Sequence, residues 1–254
     1  MSRIGNLLLS VSALSASLSA APARAQDVQA LQELFQSEVV FPQDAGETQA
    51  TLAPQFSAGH GFTRQEVQMG LEYGLTDAWQ IGVDWPGYLR EAPTGGPAVQ
   101  GIGDLELATK YSWMNIADSH LHAALELAVV LPTSNKSDGL DIGQFALMPS
   151  AVLAADIPGW SGAQAFVNFG GELNDGTAHD GRRPWIVNFG AFAPIRQFTL
   201  TSEWNFSQAE GNFYTPGIVW RTPAAFELGL GVPVGLDARS DRYRVILTLV
   251  REFG

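Results

Sequence analysis

The chain has 254 residues, with 14 Lys and Arg against 26 Asp and Glu for a formal net charge of −12, no cysteine, 27 glycines, 10% aromatic and 16% charged residues. So many large apolar residues with so little charge exclude a disordered polymer, the lack of cysteine excludes a disulfide mini-domain, and glycine without a fixed period excludes collagen. The acidic excess, with no basic run, would repel a phosphate backbone, so nucleic acid is not an expected partner.

Residues 1–25 read as a secretory signal peptide. Arg3 precedes an apolar, small-residue run from Leu7 to Ala21, and Ala23-Arg24-Ala25 is a small-x-small site of the kind a secretory peptidase cuts. The run is serine-rich and too short to span a bilayer. Cleavage before Gln26 removes Arg3 and Arg24 and no acid, so the exported chain is more acidic still. The absence of cysteine suits an oxidising compartment. Residues 26–47 form an N-terminal leader in which Val28, Leu31, Leu34 and Phe35 are spaced for one face of a short helix. It could lie at a barrel mouth, plug a lumen or remain a flexible leader, and the last reading is slightly favoured.

Beyond Gln26 no apolar run reaches the roughly 18 residues of a spanning helix, so any insertion into a membrane must be as strands. Thr48–Ser57 is a weaker first strand. From Thr63 to Gly74, Val67, Met69, Leu71 and Tyr73 alternate with Glu66, Gln68, Gly70 and Glu72. Ala78–Tyr88 sets Trp79, Ile81, Val83 and Trp85 against Gln80, Gly82 and Asp84. Gly103–Trp113 sets Leu105, Leu107, Thr109, Tyr111 and Trp113 against Asp104, Glu106, Ala108, Lys110 and Ser112. His120–Leu131 repeats the pattern, with Leu121, Leu125, Leu127 and Val129 opposed to His120, His122, Ala124 and Glu126. Residues 143–155, 162–173, 184–194, 196–208, 212–220, 224–232 and 242–253 follow with less uniform alternation. This predicts an all-β fold, a 12-stranded antiparallel up-and-down transmembrane β-barrel over residues 48–254.

The connections carry an independent signal. Leu75–Asp77, Met114–Asp118, Ile157–Trp160, Ile195 and Arg221–Pro223 are short. Leu89–Gln100, Pro132–Ile142, Asn174–Arg183 and Pro233–Asp241 are longer and rich in Gly, Asp, Asn and Pro. Short turns on one side and long loops on the other are the outer-membrane pattern, with both termini periplasmic. Trp79, Trp85, Trp113, Trp185 and Trp220 fall near strand ends, where an amphipathic ring suits the headgroup level. The outer face of the last strand, Tyr243, Val245, Leu247, Leu249, Arg251 and Phe253, resembles the C-terminal signal read by the barrel-assembly machinery, an expected partner during biogenesis. It departs from that pattern in the Gly254 that follows and in Arg251 on the lipid face, tolerable near a strand end where it can snorkel.

Tyr73–Trp79 (YGLTDAW), Gly101–Leu107 (GIGDLEL), Val130–Thr133 (VLPT) and the closing strand resemble the outer-membrane transporters grouped as "MetA-pathway of phenol degradation" proteins. The resemblance covers nearly the whole mature chain and rests on strand and turn patterns. It implies a small barrel in the Gram-negative outer membrane that passes small, in part aromatic, compounds, and it carries over no catalytic residue.

With the apolar parity toward lipid, the other parity lines the interior. It carries the acids Glu66, Glu72, Asp84, Asp104, Glu106, Glu126, Glu172, Glu203, Glu227 and Glu252 and the bases Arg64, Lys110, Arg242 and Arg244. Unpaired acids in a narrow lumen would protonate or draw in water and cations. That points to a water-filled, cation-preferring passage, or to a ladder of charges bracing a plugged barrel. His120 and His122, two apart on one strand, are predicted to face the lumen with Glu126, but two imidazoles are not a metal site. His60 and His179 fall in outer loops. There is no Gly-x-Ser-x-Gly, no phosphate loop, no His-Glu-x-x-His and no His-x-Ser, so neither an enzyme nor a cofactor is expected. The expected function is a porin-like transport channel for small molecules, with a non-conducting or ligand-binding barrel as the alternative and a lipid hydrolase as a distant third.

Overall fold

The computed structural model describes residues 31, 33–134, 145–174, 184–222 and 226–254. Twelve long antiparallel strands close into a barrel. They are β1 (Thr48–Ala58), β2 (Phe62–Thr76), β3 (Trp79–Pro93), β4 (Leu105–Trp113), β5 (Leu121–Leu131) and β6 (Ala146–Asp156), then β7 (Gln164–Gly171), β8 (Trp185–Ile195), β9 (Phe198–Ser207), β10 (Gly211–Arg221), β11 (Phe226–Gly231) and β12 (Tyr243–Phe253). Each pairs with its neighbours in sequence. The seam joins β1 to β12, from Thr48 opposite Phe253 to Ala58 opposite Tyr243. Three short pieces, Val99–Gly101, Leu173–Asn174 and Val234–Gly235, extend the sheet beside β3, β6 and the β10/β12 pair. No described helix is long and apolar enough to cross a membrane, which leaves the strands to do it.

The alternation decides which face looks out. Leu71, Leu125, Leu153, Phe169 and Leu247 stand exposed on the outer surface while their sequence neighbours are buried or half-buried. An apolar band of this kind is stable against acyl chains and not against water. Trp79, Trp113, Trp160 and Trp220 mark the short-turn end, and Trp185 and Tyr243 mark the other. Trp79 Nε1 donates to Thr109 Oγ1 at 2.7 Å, so its polar edge is satisfied on the outer surface.

One strand departs from the sequence expectation. β3 runs on to Pro93, which places Trp85 in mid-strand instead of near an end. The pairing with β2 skips from Tyr88 opposite Val67 to Pro86 opposite Gln68, leaving Gly87 as a bulge. The extra residue flips the parity, so Tyr88 faces out and Leu89 is buried.

The described part of the leader, residues 31 and 33–47, contains no helix. It runs as an irregular strand of chain inside the lumen, where Leu31, Leu34, Phe35, Val39 and Val40 are almost wholly buried. At its base Gly46 N donates to Gly74 O at 2.9 Å and Gly74 N to Glu47 O at 3.0 Å, tying it to β2 beside the short-turn end. Gly46 has φ +85°, a turn conformation that glycine adopts without strain. From there the chain rises past Gln80, reaches mid-barrel at Gln36–Glu38, and returns to Thr51 of β1 by Glu33. The described segment is therefore a U-shaped insert that joins the barrel at the end where β1 begins and β12 finishes, which is periplasmic by the outer-membrane rule.

Candidate functional site: the lumen and its insert

The insert is held first by its backbone. Phe35 N and Gln36 N donate to the two carboxyl oxygens of Glu203 on β9, each at 2.9 Å. Gln36 O accepts from Asn188 Nδ2 of β8 at 2.8 Å and from Asn205 Nδ2 of β9 at 3.3 Å. Asn168 of β7 pairs twice with Glu38, accepting from its N–H at 2.8 Å and donating to its C=O at 3.1 Å. Gln43 N donates to Gln80 Oε1 at 2.8 Å, and Gln43 Nε2 to Glu72 Oε2 at 2.9 Å. An irregular segment has no ladder to satisfy its N–H and C=O groups, so inward-facing amides and carboxylates of the wall supply partners.

Its side chains are held by packing. Leu31, Leu34, Phe35, Val39 and Val40 form one cluster with the inward Ala124, Val152, Phe166, Phe192, Val219 and Ile246. Phe35 lies against three glycines, Gly217 of β10 and Gly229 and Gly231 of β11, and a Cβ at Gly217 or Gly231 would overlap its ring. The wall is hollowed there to seat an aromatic ring. Sequence reasoning passed over these glycines and the inward Asn168, Asn188, Asn205 and Thr215. Glycine recurring on one parity of adjacent strands was the available signal, since it marks a close approach.

The predicted lumen residues fall into groups. Glu66, Glu72, Asp84, Asp104, Glu106, Lys110, Glu126, Glu172, Glu203, Glu227 and Arg244 are all buried, as is Arg64. Arg242 is exposed, because it precedes β12 and spends its N–H on Ala58 O at the rim. Glu252 is half-exposed at the opposite end. Asp84 lies opposite Glu106, and Lys110 opposite both Gln80 and Glu126, which concentrates charge on β3–β5. Lys110 Nζ lies 3.4 Å from Val39 O of the insert. Glu227 is bonded to Arg221. Asp104 Oδ1 accepts from Ser134 N at 2.8 Å.

At the long-loop end, Arg64 pairs with Glu66 at 3.1 Å, and Arg244 binds Asp241 at 2.8 Å and Glu210 at 3.1 Å while stacking over Phe213. Arg64, Glu210, Asp241 and Arg244 line a cavity of about 290 Å³ that also touches His60 and Arg239. The two neighbouring histidines separate. His122 is buried, its Nε2 3.2 Å from Asp156, whereas His120 lies outside β5 with its side chain 81% exposed and its Nδ1 3.5 Å from the same carboxylate. The expectation that both face the lumen fails because β5 begins at Leu121. Among the described residues no group of three His, Cys, Asp or Glu could hold a metal. His60 is exposed in its loop, and His179 lies outside the described residues.

No family model matches the sequence, and no curated protein matches it. Among solved structures the chain is similar to an outer membrane channel from Pseudomonas putida F1, with a TM-score of 0.62 at 15% identity over 84% of this chain and 98% of that one. It is also similar to the KdgM porin, with a TM-score of 0.55 at 6% identity over 80% of this chain and 99% of that one. At such identities the likeness is one of fold, and it places this barrel in the architecture that outer-membrane channels and porins share.

Proposed function

We propose that the chain is an outer-membrane channel for small molecules, closed at rest by its own N-terminal segment, with an acidic lumen that prefers cations. The observation that carries it is the inner face: buried acids on β2, β3, β4, β5, β9 and β11, opposed by few bases, inside a closed barrel with a lipid-facing exterior. The motif resemblance to "MetA-pathway of phenol degradation" transporters adds small aromatic compounds to the proposed cargo and supports a non-catalytic role. The insert favours the second reading, a non-conducting barrel, because its hydrogen bonds and packing leave the periplasmic half of the lumen filled.

Planar-bilayer recording separates the two. The channel reading expects discrete conductance steps and a reversal potential on the cation side in a salt gradient. Anion preference would overturn the acidic-lumen reading, and a silent bilayer at every pH and voltage would favour the non-conducting barrel. Swelling of proteoliposomes with aromatic solutes against sugars of similar size tests the cargo.

A further inference from the structure

We propose that residues 33–47 are a charge-gated plug, seated while its carboxyl groups are protonated and driven off the wall as rising pH ionises them together with the acids they face. The inference rests on the channel reading and adds its regulation.

Two plug acids carry the argument. Glu38 is buried, and neither of its carboxyl oxygens has a hydrogen-bond partner among the described residues. The charged groups around it are Glu126 of β5, Lys110 and Glu106 of β4 and Glu72 of β2. Asp84 of β3, fully buried and likewise without a hydrogen-bond partner on either oxygen among the described residues, shares this field. Glu33 faces Glu72 and Glu227 of β11, and one of its oxygens accepts from Thr51 of β1 at 3.4 Å while the other accepts from none of the described residues. The bases nearby are Lys110, close to Val39 O, and Arg221, bound to Glu227. The remaining strands meet the plug with neutral groups, Val152 of β6, Asn168 of β7, Asn188 of β8, Thr215 of β10 and Ile246 of β12, and with Glu203 of β9.

A buried carboxylate with no donor is unstable ionised, and a second carboxylate beside it makes it more so. Burial first, then Glu126, pushes the Glu38 carboxyl well above its ordinary value, with Lys110 pulling it back. Burial, then Glu72 and Glu227, pushes Glu33 the same way. The seated plug thus binds protons that the released, hydrated plug gives up. Seating is strongest below the ordinary carboxyl value and weakens as pH rises through the raised one. Glu203 opposes release, since a carboxylate holding two N–H groups grips better ionised. Glu72, which accepts from Gln43 of the plug, adds a smaller grip of the same kind, and these two anchors stand against the charge of the two plug acids and of the acids they face.

The test uses the full chain, whose lack of cysteine makes single thiols unambiguous. Ser37→Cys places one at a buried plug position beside Asn205, and Ser161→Cys provides an exposed reference in a short turn. Labelling by a water-soluble maleimide in proteoliposomes, taken as the ratio of the two sites, cancels thiol ionisation common to both. The ratio is expected to rise on the order of tenfold between acid and alkaline pH, about one pK unit of linkage. Adding Glu33→Gln and Glu38→Gln should flatten that rise. Oxidising Ser37→Cys with Asn205→Cys should lock the plug and abolish any alkaline opening in a bilayer until a reductant is added. A flat ratio in the parent background, or a rise unchanged by the two Gln substitutions, overturns the inference. Rising labelling with a silent bilayer overturns the channel reading alone, whereas steady conductance with flat labelling overturns the plug alone.

Discussion

Phe35 and the three glycines beneath it set the fit between plug and wall. Replacing Gly217 by Ala puts a methyl group into the space of the Phe35 ring. A ring confined by two strands cannot give way cheaply. The expected outcome is an unseated plug in an intact barrel: faster labelling at Ser37→Cys with unchanged heat-shifted gel migration. Phe35→Ala acts from the other side, emptying the seat at a cost of roughly 3–5 kcal/mol of packing, and should raise open probability at constant pH. If neither substitution changes labelling or conductance, the glycine hollow is incidental. Sequence could place Gly217, Gly229 and Gly231 on strands, but nothing local named the ring that fills them, because Phe35 lies far away in the chain. Arg251 is a residue that pattern did reach. It stands on the outer face near a strand end, and its guanidinium lies 4.8 Å from the Phe226 ring and 5.1 Å from that of Phe253, so aromatic faces help to shelter its charge.

For the elements, alternation was legible wherever a strand kept one parity from end to end, as β2, β4 and β5 do. It failed at Gly87, because one inserted residue reverses every side chain beyond it and leaves no mark in composition. Deleting Gly87 should keep Tyr88 outward and Leu89 inward, since Pro86 and Tyr88 already face the adjacent β2 residues Gln68 and Val67. Refolding into detergent micelles, read by gel migration, is expected to keep most of its yield, and loss of most of it would mean that the fold requires the kink of the bulge and not only the parity it sets. The leader failed for a different reason. Leu31, Leu34 and Phe35 do bury together, and the helical spacing detected that, but an extended segment lined by wall amides buries them as well. Gln36 shows why this lay beyond sequence: its side-chain oxygen accepts from Thr215, 179 residues away.

As a whole molecule, the barrel follows from counting strands, turns and acids, while occupancy of the lumen follows only from the assembled structure. The inward acids were legible because they share a parity, and the partners of Glu203 and Glu72 were not, because those belong to the insert. Two further outcomes belong to this scale. Mass spectrometry of protein taken from the outer membrane should find a chain beginning at Gln26, and retention of residues 1–25 would overturn the signal-peptide reading. Arg244→Ala should leave Glu210 and Asp241 buried beside a lost guanidinium. A buried pair broken on one side costs about 3–5 kcal/mol, so thermal unfolding in detergent should shift down clearly more than for Arg242→Ala at the exposed rim.

The plug leads directly into β1, with Glu47 bonded to β2 and Thr48 already at the seam. An occluder fastened so closely to its own rim cannot diffuse away, and its return is a unimolecular event governed by an effective local concentration in the millimolar range or above. Opening in such a barrel is therefore a brief excursion, and the current it passes should arrive as flicker whose closed times ignore how many copies the membrane holds.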